Sequence, residues 1–209
     1  YTAKWIKVTV VSESASKGTV SKLTDTYLLG DKDSVTATTK SGYTFIGWYN
    51  GDEKGADTIT YEFEMPAENV TYPAKWTLNA GMEQFTFTSS LTSLTITGVT
   101  DGSVTSLVVP SYVTAINRGA FSNCSSLESI TIPFVGGGAG KTSSDTHQYP
   151  FGYIFGTSSY TGGTAVTQRY YVSGTSGVYS TTYYIPSSLR SVTVTGGNIL
   201  YGAFYNCSM

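Results

Sequence analysis

Charge, histidine, cysteine and helical pattern are all scarce in this sequence, and each shortage removes a class of function. Charged side chains make up 12% of the 209 residues, 12 Lys+Arg against 14 Asp+Glu, for a formal net charge of -2. Such a chain offers no basic field to gather nucleic acid or anionic lipid, so no nucleic-acid partner is expected. The single histidine, His147, has no Cys or His beside it, which argues against a zinc site. No apolar run approaches the roughly 20 residues needed to cross a bilayer as a helix, and no signal-peptide pattern opens the chain. No membrane insertion is therefore expected within this stretch. Long Ala/Glu/Lys/Leu patterns are missing too, and Thr, Ser, Gly and Tyr take their place, with 17 Tyr against 9 Phe. That composition favours short strands and tight turns. The length allows one domain or two, large enough to bury a core without metal or disulfide support.

The two cysteines fall in one repeated motif, Cys124 in "GAFSNCSS" and Cys207 in "GAFYNCSM". Equivalent positions in a stack of repeats predict buried thiols acting as small apolar residues, in preference to a disulfide or a metal pair.

Repeats organise the chain. "YTAKW" at residues 1–5 returns as "YPAKW" at 72–76, an offset of 71, so residues 1–5 read as the last strand of one module and 6–76 as a whole one. Within it Ile6, Val8 and Val10 alternate with polar residues, as do Tyr61, Phe63 and Met65, the period of two expected of half-buried strands. Between them "DSVTATTKSGYTFIGWYNGDEKG" reads as strand, Ser-Gly turn, strand, Asn-Gly turn, and Pro66 ends the strand before it. The segments "SGYTFIGWYNGD" and "YEFEMPAENVTYPAKW" resemble the divergent internalin-type B repeat, also called the Listeria-Bacteroides repeat, over nearly all of 6–76. The resemblance implies a small β-rich spacer or adhesive module of bacterial surface proteins.

From Thr77 onward another template takes over: Leu91-x-x-Leu94-x-Ile96, Val104-x-x-Leu107-x-Val109, Leu127-x-x-Ile130-x-Ile132 and Leu189-x-x-Val192-x-Val194. Val104 to Leu127 spans 23 residues, long enough for one strand, a turn and a returning half-coil of a solenoid. In the second half-coil Val113, Ile116, Ala120, Phe121 and Cys124 are expected inside, with Asn117, Arg118 and Ser122 wet. Leu91–Ile96 lies out of period and reads as a capping strand. Leu127–Pro133 together with Gly119–Ser125 resembles the BspA-like leucine-rich repeat, and "GNILYGAFYNCSM" repeats its ending; the resemblance covers 91–209. The last unit breaks off at Met209, so the natural chain is expected to continue. The fold expected is mainly β: a B-repeat-like module over 6–76, then a short leucine-rich repeat solenoid over 77–209 with a β-hairpin insertion at about 134–186.

The stretch "IPFVGGGAGKTSS" at 132–144 suggests a phosphate-binding loop, yet counting back from Gly140-Lys141-Thr142 the first required glycine falls on Val135. The residues that follow, "SSDTHQYPFGYIFG", carry Pro150, Gly152 and Gly156 where a helix of ten or more residues is required. Leu127 and Leu189 are equivalent strand starts 62 residues apart, so about one full unit plus loop material is expected between them. The glycine run then reads as a flexible exit from the solenoid with Lys141 solvated, Phe155 standing where Phe121 stands in its own unit, and "TAVTQRYYVSGTSGVYSTTYYIPSSL" as a hairpin closing on Ser173–Gly177. Ser143, Ser144, Asp145 and His147 lie in one loop, and loop neighbours cannot converge as a triad does. Glu62 and Glu64 share a solvent-facing strand face. No catalytic, cofactor-binding or metal residue is assigned.

Tyrosines crowd the insertion: Tyr149, Tyr153, Tyr160, Tyr170, Tyr171, Tyr179, Tyr183 and Tyr184. An exposed Tyr offers a rigid apolar face with a polar tip, and alternation in the hairpin turns about half of them inward. These eight are the candidate ligand contacts. The expectation is a non-enzymatic, monomeric fragment of a secreted or cell-surface bacterial protein, binding a host extracellular protein or glycan; the alternative is a structural stalk with no ligand of its own.

Overall fold

The computed structural model describes residues 4–22, 24–172, 174 and 177–208. The chain forms two compact units, Tyr1–Asn79 with Ser89–Thr92, and Ala80–Thr88 with Ser93–Met209. It is mainly β, as composition and periodicity led one to expect, and no α-helix occurs among the described residues.

The first unit holds β1 (Trp5–Ser12), β2 (Gly18–Val20), β3 (Thr24–Leu28), β4 (Lys32–Thr39), β5 (Tyr43–Asn50), β6 (Glu53–Ala56), β7 (Thr60–Glu64) and β8 (Val70–Leu78). Of "YTAKW", Tyr1–Ala3 lie outside the described residues, and Trp5 opens β1. The strands make a five-stranded sheet, β3-β1-β8-β5-β6, and a three-stranded one, β2-β4-β7. Val8, Val10, Trp48, Tyr72, Ala74 and Trp76 from the first sheet close on Val35, Ala37 and Phe63 from the second. Both buried indoles keep a partner, Trp48 Nε1 donating to Thr58 O at 3.1 Å and Trp76 Nε1 to Thr39 Oγ1 at 2.9 Å. The Phe45-x-Gly47-Trp48 spacing is odd for one strand face, since residues three apart point to opposite sides. A register shift against β8 between Phe45 and Gly47 restores them to one side, so Phe45 packs on Trp48 at 5.7 Å and on Trp76 at 5.5 Å between ring centroids.

The second unit contains β9 (Phe85–Ser89), β10 (Leu94–Val99), β11 (Ser106–Val108), β12 (Ala115–Ile116), β13 (Ser129–Ile132), two short 3-10 turns at Thr146–Gln148 and Phe151–Phe155, β14 (Gly163–Tyr171), β15 (Val178–Pro186) and β16 (Ser191–Val194). The 23-residue period appears as parallel pairing of β11 with β13, Ser106 opposite Ser129 and Leu107 opposite Ile130. Ser129 then faces Ser191 and Ile130 faces Val192, the 62-residue offset. Leu107, Ile130 and Leu127 are buried below this sheet, together with Val113, Ile116, Ala120, Phe121 and Cys124 from the returning half-coil. Leu94 and Ile96 are fully buried, but Leu91 is 58% exposed, and β10 pairs with β12 rather than with β11. The out-of-period strand thus belongs to the sheet β12-β10-β9, apart from β11-β13-β16.

Two expectations about the insertion are corrected. β13 pairs with β16 directly, so one coil with its added loop material fills the interval from Leu127 to Leu189. The stretch Phe134–Gly138 is buried, not a flexible exit: Gly138 bridges Ala115, 23 residues earlier, and Gly137 O accepts from Ile116 N at 3.1 Å. Gly119 N and Phe121 N donate to Tyr153 O and Ile154 O at 3.0 and 2.9 Å, and the Phe121 and Phe155 rings meet at 6.3 Å. The 62 residues are one ordinary coil lengthened twice, between Gly138 and the Phe151–Phe155 turn and again by the hairpin. Lys141 is not simply solvated either, because its Nζ lies 3.6 Å from Asp145 Oδ1.

Candidate ligand-binding face

The β14–β15 hairpin runs in antiparallel register for nine pairs, from Gly163 opposite Pro186 to Tyr171 opposite Val178. Its predicted closing turn falls largely on Ser173, Thr175 and Ser176, which lie outside the described residues. Alternation sends Gln168, Tyr170, Tyr183 and Ile185 inward and Thr167, Arg169, Tyr171, Val178 and Thr182 outward.

The eight candidate tyrosines divide accordingly. Tyr149, Tyr170 and Tyr183 are buried, which corrects their assignment as ligand contacts: a side chain at 3, 8 or 0% exposure has no surface to offer. They lock the hairpin instead. Tyr183 OH donates to His147 O at 2.9 Å, and Tyr149 OH both accepts from Tyr171 N at 2.5 Å and donates to Tyr171 O at 3.1 Å. Tyr170 meets Tyr149 edge-on at 6.2 Å and stacks on Tyr179 at 6.0 Å. Burial pushes the Tyr149 and Tyr183 hydroxyls up, so both stay protonated donors. Tyr153, Tyr160 and Tyr184 are half-buried, and Tyr171 and Tyr179 are exposed.

Next to Tyr171 the fold places residues that the tyrosine count in the insertion did not point to. Residues 199–208 return along β14 and bring Tyr201 to 5.5 Å from the Tyr171 ring and Tyr205 to 5.4 Å beneath the Arg169 guanidinium. Tyr201 is 80% exposed. Below this face the fully buried Gln168 joins three chain segments. Its Oε1 accepts from Gly152 N at 2.6 Å, and its Nε2 donates to Ala203 O at 2.9 Å and Tyr205 O at 3.3 Å, with Cys207 Sγ at 3.4 Å. The returning segment is a copy of the earlier motif: Gly119 and Gly202 have φ 75 and 79°, and Asn123 and Asn206 have φ 65 and 61°. Left-handed backbone explains why Gly and Asn stand at these places in "GAFSNC" and "GAFYNC". Cys124 is buried and Cys207 half-buried; both are free thiols that burial pushes up to about 11, so neither is an activated nucleophile.

The loop residues that suggested serine chemistry take other partners. Asp145 Oδ2 accepts from Thr142 N at 2.6 Å and from Thr142 Oγ1 at 3.0 Å, bonds that hold its carboxyl below the usual range. His147 packs its ring at 6.0 Å from Tyr153. Gly137 N donates to Gln148 O at 2.7 Å, so this amide of the glycine run is satisfied by the protein itself.

Residues 7–80 match the divergent InlB B-repeat domain, and residues 99–135 match the BspA type leucine-rich repeat region (6 copies). The chain joins a divergent B-repeat to a BspA type leucine-rich repeat region. Internalin H of Listeria monocytogenes serovar 1/2a is 39% identical to the chain over 62 residues, 30% of this chain and 11% of that protein. The match therefore spans about a tenth of that relative's length. No solved structure matches the chain. No helix of the described residues is long and apolar enough to cross a membrane.

One buried side-chain polar atom lacks a partner among the described residues, the Tyr160 hydroxyl. An unsatisfied buried hydroxyl costs about 1–3 kcal/mol. Tyr160→Phe is expected to raise stability by about 1 kcal/mol, read as a higher thermal midpoint. A lower midpoint would show that the hydroxyl has a hydrogen-bond partner after all.

Proposed function

We propose that this chain is a non-enzymatic, adhesive segment of a bacterial surface protein, in which the leucine-rich repeat region presents the binding face and the B-repeat acts as a spacer. The observation that carries this reading is the exposed cluster of Tyr171, Tyr201 and Tyr205 with Arg169, held from beneath by the buried Gln168 amide. Tyr and Arg are the side chains that concentrate binding energy at interfaces, and rings already held in place lose little entropy on contact. The B-repeat and BspA-type matches support placement at the bacterial surface or in the secreted fraction.

The test is a panel of immobilised host matrix proteins and glycans probed with the folded chain, then with the Tyr171→Ser/Tyr201→Ser double variant. Binding to at least one member, reduced about 10-fold or more in a variant with an unchanged thermal midpoint, is the expected result. A blank panel would replace adhesion by the stalk reading, and an unaffected variant would move the binding face elsewhere.

A further inference from the structure

The 14 acidic side chains all precede position 146, and residues 146–209 carry Arg169 and Arg190 with no Asp or Glu. Segregation of this kind leaves the hairpin cationic in a chain whose net charge is -2. No described carboxylate comes within 4.0 Å of Arg169, which lies over the Tyr205 ring while its neighbour on the same face, Tyr171, meets Tyr201. A guanidinium stacked on an aromatic ring keeps its edge donors free for an incoming anion.

We infer that the Arg169, Tyr171, Tyr201 and Tyr205 face binds an acidic sugar, its carboxylate on Arg169 and its ring on the exposed tyrosines. This inference rests on the adhesion reading and names its ligand class. The surroundings favour a sugar over an acidic peptide. Thr167 and Thr182, hydrogen-bonded to each other at 2.8 Å, line the outer hairpin face beside Arg169 with Ser180, so hydroxyl donors and acceptors surround a single positive charge. A peptide with several carboxylates calls for several cations, whereas one sugar acid needs one cation, a ring to stack on and hydroxyl partners. The face is also assembled before any ligand arrives. An added Cβ at Gly202 would stand 2.9 Å from Arg169 O, so the segment bearing Tyr201 lies directly against β14.

The probes are immobilised sialyllactose, lactose and a Glu-rich peptide, presented to the intact chain and to its R169Q and Y201S variants. Sialyllactose should bind about 10-fold or more tightly than lactose, the effect of one charge-assisted hydrogen-bonded contact. R169Q should abolish that preference with an unchanged thermal midpoint, and Y201S should weaken both sugars. Equal binding of the two sugars, an R169Q variant that keeps the preference, or selection of the Glu-rich peptide over sialyllactose would each overturn the inference. If a matrix protein still binds while sialyllactose does not, the sugar inference fails and adhesion stands; if nothing binds, both fail.

Discussion

Gly136→Ala will cost the second unit about 4 kcal/mol or more and leave the first unit folded. Gly136 has φ +78°, and a Cβ there would sit 2.2 Å from Gln148 O and 2.8 Å from Tyr149 Cα. Left-handed backbone costs an alanine about 1–2 kcal/mol. The larger part comes from the clash, because the obstructing atoms are backbone and cannot rotate away. Moving residues 148 and 149 breaks the neighbouring bond from Gly137 N to Gln148 O and displaces Tyr149, whose hydroxyl holds the end of β14. The chain contains its own control: all three tryptophans, Trp5, Trp48 and Trp76, belong to the first unit. Denaturant unfolding followed by tryptophan fluorescence should keep its midpoint in Gly136→Ala, while the tyrosine near-ultraviolet dichroism transition moves to much lower denaturant. Lys141→Ala, which removes an ion pair whose side chains are 28 and 30% exposed, should shift either transition by about 0.5 kcal/mol or less. Similar shifts in the two variants would mean that the glycine run is the loop its sequence suggested, not a buried part of the coil.

That contrast marks where the sequence was readable. Strand faces followed from alternation because one side of each sheet meets a core, and Val8, Val10, Phe63 and Met65 are buried where the period of two puts them. The 23 and 62 offsets became strand pairings because equivalent coils must stack in register. The glycine run was misleading, since glycine marks a flexible exit and a close backbone approach equally well. The neighbours at Ala115, Ile116, Gln148, Tyr149 and Tyr153 decide between the two, and they arrive from outside the run. The tyrosines were legible by number and not by side: alternation set half of them inward but not which half, because no apolar stripe in "RYYVSG" or "TTYYIP" distinguishes the faces. Arg169, Tyr201 and Tyr205 were hidden for a further reason. "GNILYGAFYNCSM" was recognised as a repeat ending, and nothing local tells that this ending folds back against the hairpin. The run without acidic residues after Asp145 was the available signal.

Gln168→Ala should reduce the stability of the second unit by about 4 kcal/mol and dismantle the aromatic face with it. Gln168 is the sole polar residue in the buried set of the described chain, at 0% exposure, and every polar atom of its side chain is engaged. Removing it leaves Gly152 N–H without its acceptor and the Tyr205 carbonyl without that donor, at about 1–3 kcal/mol for each buried group that water does not reach, while Ala203 O keeps the Phe151 N–H at 2.8 Å. A cavity adds to the loss. Gln168→Met separates the two causes, because it restores most of the volume and none of the hydrogen bonds. If polar satisfaction dominates, Met is nearly as damaging as Ala; if packing dominates, Met recovers most of the stability. Gln168→Glu is the sharper probe: a carboxylate still accepts from Gly152 N but cannot donate to the two carbonyls, so it should fall close to Ala at neutral pH and recover partly in acid as it gains a proton. The amide also joins the hairpin to the segment carrying Tyr201 and Tyr205, so a variant that removes it should lose sugar binding out of proportion to its unfolded fraction. Wild-type stability in Gln168→Met together with intact binding would show that the face is held by ring packing alone, and would remove Gln168 from the account of how the face is built.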